Sequence, residues 1–244
     1  MQERTLEIAT KDGKMTTFVV QPERGGPYPA ILFYMDAPGI REELRDMARR
    51  IASTGYVVVL PNLYYRSNVM ELGPLPRDPN APERKRMMDL MYSIDIPKVM
   101  DDTKTLLAFL DKEPGARKIT GAVGYCMSGQ YAINAAANFP DRVKAAASIY
   151  GTFLITEKED SPHVVAKKAK AELYFACAET DHWMPMENVP TLRAALKEAD
   201  ANAEVEIFPK AEHGFAFPAR PAYHKDSAER HWERLFALFG RNLG

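Results

Sequence analysis

Short apolar runs alternate with longer amphipathic segments along most of the chain. Residues 5–10 and 15–20 flank Lys11-Asp12-Gly13-Lys14, and an Asp-Gly pair between two strand-like runs predicts a β-hairpin. Ala30-Ile31-Leu32-Phe33-Tyr34 is continuously apolar, as expected of a strand covered on both faces. A helix over 41–53 follows, with Leu44, Met47, Ala48 and Ile51 along one side. Val57-Val58-Val59-Leu60 reads as the next buried strand. Residues 63–80 are loop-like, because Pro74, Pro76 and Pro79 interrupt regular structure. A helix over 97–110 has proline in its first turn and closes before Pro114-Gly115. Residues 118–123 and 145–150 are further strands, and 186–199 another helix. The last helix is expected to bury Trp232, Leu235, Phe236 and Phe239, which recur at helical spacing. Strands alternating with helices imply right-handed crossovers, hence a mainly parallel sheet with helices on both faces. No repeat or linker interrupts the pattern, and one α/β domain over 1–244 is expected.

Between the strand at 118–123 and a helix-compatible stretch at 130–138 lies Gly124-Tyr125-Cys126-Met127-Ser128-Gly129. A nucleophile on a tight strand-to-helix turn needs small neighbours two positions away, so that strand and helix can approach closely. Gly124 and Ser128 fill those positions, and Gly129 relieves crowding one step on. The usual form is G-x-S-x-G; here Cys126 stands at the nucleophile's place. A buried structural cysteine beside a turn is the competing reading, since free cysteine is among the most buried residue types.

Chain order separates the two. A hydrolase site of this kind takes its groups in the order nucleophile, acid, histidine, each from a loop after a strand. Leu173-Tyr174-Phe175-Ala176-Cys177-Ala178 leads into Glu179-Thr180-Asp181-His182-Trp183-Met184-Pro185. Val205-Glu206-Ile207-Phe208 leads into Lys210-Ala211-Glu212-His213-Gly214-Phe215. Cys126, Asp181 and His213 are therefore expected to form a catalytic triad. Glu179 is the rival acid. His163, His182, His224 and His231 are the weaker histidines, and Cys177, within a strand, is read as core.

The same stretches, with Gly55-Tyr56-Val57-Val58-Val59-Leu60-Pro61-Asn62-Leu63-Tyr64, make the chain resemble the dienelactone hydrolase family over most of its length. The cysteine in the elbow is the specific part, because most relatives of this fold carry serine there. The resemblance implies an α/β-hydrolase fold with an N-terminal hairpin, and a cofactor-free cysteine hydrolase of ester or lactone bonds in small molecules. It also implies an acidic residue after the third strand that modulates the thiol. That position is Asp36, one methylene shorter than the family's usual glutamate. An oxyanion hole would draw backbone N–H groups from Met127 and, since Pro38 has none, from Ala37. Arg84 aligns with a carboxylate-binding arginine of the family. A second such arginine is replaced here by Phe217, with Arg220 the nearest in sequence, which favours a less anionic substrate. Tyr64 and Trp183 are candidate pocket aromatics by position.

Composition narrows the partners. Lys and Arg total 32 against 33 Asp and Glu, a formal net charge of −1, which offers no electrostatic case for nucleic acid or an anionic membrane. Two cysteines fit a reducing compartment better than a disulfide framework. With a polar N-terminal stretch and no apolar run long enough to span a bilayer, a cytoplasmic protein is expected, as a monomer or weak homodimer. No residue cluster has metal-ligand spacing, and no glycine-rich phosphate loop occurs. Two alternatives stay open: a non-catalytic small-molecule binder or thiol sensor on the same fold, and a hydrolase of thioester or peptide bonds.

Overall fold

The Asp-Gly pair turns the chain where the pattern requires it. β1 (Gln2–Thr10) and β2 (Gly13–Gln21) pair antiparallel from Gln2 opposite Gln21 to Thr10 opposite Gly13. Gly13 closes the turn at a φ of 140°, a conformation open mainly to glycine. The computed structural model describes every residue except Arg77 and Pro79, so the expected break at Pro79 lies outside the described residues. The chain divides into two compact units, Met1–Arg117 and Lys118–Gly244.

In the first unit, β2 pairs antiparallel with β4 (Val57–Pro61), and β4 pairs parallel with β3 (Tyr28–Tyr34), giving the order β1-β2-β4-β3. The parallel pair is joined through α1 (Glu42–Ala52), whose apolar side of Leu44, Met47, Ala48 and Ile51 is buried as the spacing predicts. Glu42 and Glu43 in its first turn and Arg49 and Arg50 in its last complement the helix dipole. Two further helices follow, α2 (Pro82–Ser93) and α3 (Ile96–Leu110). Asp95 caps α3 by accepting the Lys98 N–H at 2.9 Å. The sequence pattern does not mark α2, because among its residues only Leu90 and Met91 are buried and no apolar stripe forms.

The second unit is wholly parallel in its sheet. β5 (Ala116–Tyr125), β6 (Val143–Ile149), β7 (Glu172–Thr180) and β8 (Ala203–Glu212) lie side by side in chain order. Parallel pairing makes the loops that follow these strands leave from one edge, where open α/β sheets gather functional groups. α4 (Gly129–Asn138) packs on β6 and is buried from Gly129 through Ala137, which its run of alanines permits. The short α5 (Pro162–Val165) precedes β7, and α6 (Val189–Glu198) follows it, packing on β8. α7 (Lys225–Leu243) lies against β6, β7 and β8. Its buried side differs from expectation at one position. Phe236 is half-exposed, stacked on Trp232 at 5.4 Å between ring centroids, and Leu238 is buried instead.

Candidate active site

β5 ends in extended backbone at Tyr125, and Cys126 then takes a φ of 55°. A non-glycine residue in that region carries about 1–2 kcal/mol of strain, which surrounding structure must hold in place. One tight turn, Cys126–Ser128, leads directly into α4. The closeness of strand and helix explains the glycines. A Cβ on Gly124 would sit 1.9 Å from the Ser128 carbonyl oxygen. One on Gly129 would sit 2.3 Å from Ser148 Oγ and 2.5 Å from Gly151 Cα. Gly129 therefore serves the approach to the loop after β6, beyond the relief of crowding expected of it. That loop holds the elbow in return: Thr152 N–H donates to the Cys126 carbonyl at 3.0 Å.

Asp181 is the first residue after β7, and His213 the first after β8. Their alignment depends on an irregularity in the β7–β8 ladder. Ala178 faces Phe208, but Thr180 faces Glu212, so β8 spends two extra residues between these pairs. Lys210 absorbs them at a φ of 61°, with its N–H donating to Glu179 Oε2 at 2.6 Å. The rival acid Glu179 is thus engaged with the bulge. His213 N–H donates to the Thr180 carbonyl at 3.1 Å, seating the histidine beside the acid.

His213 Nδ1 lies 2.8 Å from Asp181 Oδ2, while Asp181 Oδ1 accepts the Trp183 N–H at 2.9 Å. The Asp181 side chain is fully buried and that of His213 is 14% exposed. With the carboxylate accepting at Nδ1–H, Nε2 is left as the ring nitrogen through which a proton can be taken up or given. Burial alone would lower the His213 pKa. The Cys126 charge and the Asp181 hydrogen bond outweigh it and push the value up to about 10. Cys126 is itself buried, 7% exposed. Nε2 makes no hydrogen bond to Cys126 in this geometry. Such bonds commonly tighten only once substrate is bound.

Aromatic rings surround the imidazole. Tyr150 meets it edge-on at 5.1 Å, and His182 stands 6.2 Å away, itself 5.0 Å from Trp183. Phe153 packs edge-on against Trp183 at 5.2 Å. Tyr150 and Phe153 were not singled out by the sequence reading, which placed Tyr150 at the end of a strand. Their signal was their place in the loop after a parallel strand, the same context that marks Asp181 and His213. Both hold positive φ, 36° and 55°, as strained residues near functional groups often do.

Phe217 is fully buried, packed on Tyr125 at 5.5 Å and under the Arg220 guanidinium at 4.6 Å. The position marked by the resemblance as substrate-facing therefore presents no surface here. In the first unit, Tyr64 is also buried, and its hydroxyl donates to the Ala37 carbonyl at 2.9 Å, steadying the loop after β3. That bond, rather than an open pocket wall, is its observed place. Asp36 is fully buried and forms a two-pronged ion pair with Arg41, at 2.7 and 3.2 Å. Arg41 also reaches Glu43 at 2.7 Å. Burial opposes the Arg41 charge, but Asp36 and Glu43 more than compensate and raise its pKa. Arg84 lies in the first turn of α2 and donates through Nε to the Pro76 carbonyl at 2.6 Å. Among the described residues no group of three or more His, Cys, Asp or Glu is placed to hold a metal ion, and no helix is long and apolar enough to cross a membrane.

Known proteins are similar to this chain along nearly its whole length. A Yersinia pestis protein named "Putative carboxymethylenebutenolidase" is 29% identical over 245 residues, covering 95% of this chain and 85% of its own. The Escherichia coli K12 protein of the same name is 29% identical over 238 residues, covering 95% and 84%. A Klebsiella pneumoniae crystal structure named "Putative Dienelactone Hydrolase" superposes with a TM-score of 0.87 at 26% identity, covering 98% of each chain. These structures share the α/β-hydrolase fold. The family model for the dienelactone hydrolase family matches residues 15–243, and the chain belongs to that family.

Proposed function

We propose that this hydrolase opens ester and lactone bonds of small molecules through a covalent intermediate on Cys126. His213 serves as general base and acid, and Asp181 as its orienting partner. The reading is supported by the hydrogen bond that Asp181, after β7, makes with His213, after β8, and by Cys126 at positive φ on the turn after β5. An unperturbed thiol, with a pKa of roughly 8.5, is a weak nucleophile near neutrality. Transfer of its proton to Nε2 leaves a thiolate, stabilised by the imidazolium and by the start of α4.

The thiolate attacks the substrate carbonyl carbon, and the carbonyl oxygen takes up the electron pair. The Met127 N–H, at the residue after the nucleophile, would stabilise that oxyanion. Collapse of the adduct breaks the carbon–oxygen bond, and His213 delivers its proton to the departing alkoxide. In a lactone that alkoxide stays tethered to the acyl group. His213 then takes a proton from water, whose oxygen displaces the thiolate to leave a carboxylic acid.

The reading is tested by trapping the intermediate. Acid-quenching the enzyme during turnover of a slow aryl ester should add one acyl mass to the peptide containing Cys126. An unmodified Cys126 peptide, or acyl mass on another residue, would overturn it.

A further inference from the structure

We infer that Tyr125 and His231 form a positioning pair that sets the elbow carrying Cys126. The inference rests on Cys126 being the nucleophile. His231 is completely buried in α7, far from Cys126 in sequence and outside the triad. Its Nδ1 faces the Ala228 carbonyl oxygen, which can only accept, so Nδ1 carries the hydrogen. Nε2 of the neutral ring is then an acceptor, and the Tyr125 hydroxyl, 3.0 Å away, donates to it. Both nitrogens of a buried imidazole are thereby satisfied, and the tautomer is fixed by α7 itself.

The Tyr125 side chain carries that anchoring to the elbow. Tyr125 is the last residue of β5, bonded directly to Cys126, where the backbone crosses into positive φ. A strained residue persists only where its neighbours over-determine the geometry. The Tyr125 ring is clasped by Tyr150 at 6.0 Å and Phe217 at 5.5 Å, and His231 meets it edge-on at 5.8 Å. Aromatic packing tolerates sliding, whereas a hydrogen bond fixes one atom to within a few tenths of an ångström. His231 also touches Phe215 at 6.1 Å, two residues beyond His213. One buried ring thus contacts the strand end bearing the nucleophile and the loop bearing the base. Small displacements between those groups are enough to slow a proton transfer severely.

The test uses the full-length enzyme with a neutral aryl ester, counting competent sites by thiol titration. Tyr125→Phe removes only the hydroxyl, and His231→Leu removes its partner. Each should lower kcat about tenfold with KM within about twofold, and the double variant should be no worse than either single one. His231→Gln, whose amide oxygen can accept from the tyrosine, should recover most of the loss. Wild-type kcat in Tyr125→Phe, or equal kcat in the Gln and Leu variants with only the melting temperature lowered, would overturn the pair's role. Should His231→Leu fail to fold, Tyr125→Phe decides alone. Turnover surviving in Cys126→Ala would instead overturn the catalytic reading on which this rests.

Discussion

At the scale of single residues, the proposed chemistry turns on a proton passing between Cys126 and His213, whose ring Asp181 holds. Burial disfavours the imidazolium, yet Cys126 and Asp181 together raise its pKa to about 10. Because the folded-state value lies above the usual ~6.5, the stabilisation it brings is complete below that pH and is lost as pH rises through about 10. Replacing Cys126 by Ala removes the largest raising influence. NMR titration of the His213 ring should show a value well above 6.5 in the wild type and a clear fall in Cys126→Ala. Equal values in both would show that the thiolate charge does not act on the ring. The sequence names Cys126, Asp181 and His213 because each follows an apolar run, and the structure sets Asp181 against His213 at 2.8 Å. The aromatic rings around His213 were not, since Tyr150 and Phe153 owe their places to backbone strain that no local pattern announces.

At the scale of elements, period and turn chemistry found the hairpin, β3, α1, β4 and the parallel strands to within a few residues. The departures have physical causes. α2 escaped notice because its buried residues form no stripe, and Phe236 missed the core because stacking on Trp232 leaves it half outside. Longer-range pairing is also invisible locally. Asp102 of α3 accepts both Arg66 guanidinium N–H groups, at 2.8 and 2.9 Å, and the Tyr65 hydroxyl at 2.9 Å. Arg66 reaches onward to Asp12 in the hairpin turn at 2.7 Å. Asp102 is almost wholly buried, so removing it takes two charge-assisted bonds from Arg66, which keeps Asp12, and one acceptor from the Tyr65 hydroxyl. Asp102→Ala should lower unfolding free energy by about 3 kcal/mol, measured by urea denaturation, with kcat per folded molecule unchanged. A loss under about 1 kcal/mol would mean that water readily replaces the carboxylate.

At the scale of the whole molecule, family membership makes the chain a hydrolase of ester or lactone bonds. Substrate choice depends on which family features are altered. Phe217 stands where the resemblance expects a second carboxylate-binding arginine, and it is buried beneath Arg220. A guanidinium–carboxylate pair is strong and bidentate, so one fewer should relax selection for acidic lactones. Neutral or singly charged small esters and lactones should be hydrolysed as well as dienelactone or better, judged by kcat/KM. A preference for dienelactone of a hundredfold or more would show that Arg220 or another base supplies the missing interaction.

The central claim, that Cys126 is the nucleophile, meets its most direct test in the turnover of Cys126→Ala on a neutral aryl ester. Loss of the attacking atom should reduce kcat/KM by roughly 10⁴-fold or more while the folded state persists. Turnover within about tenfold of wild type would contradict the account, whatever the geometry around His213.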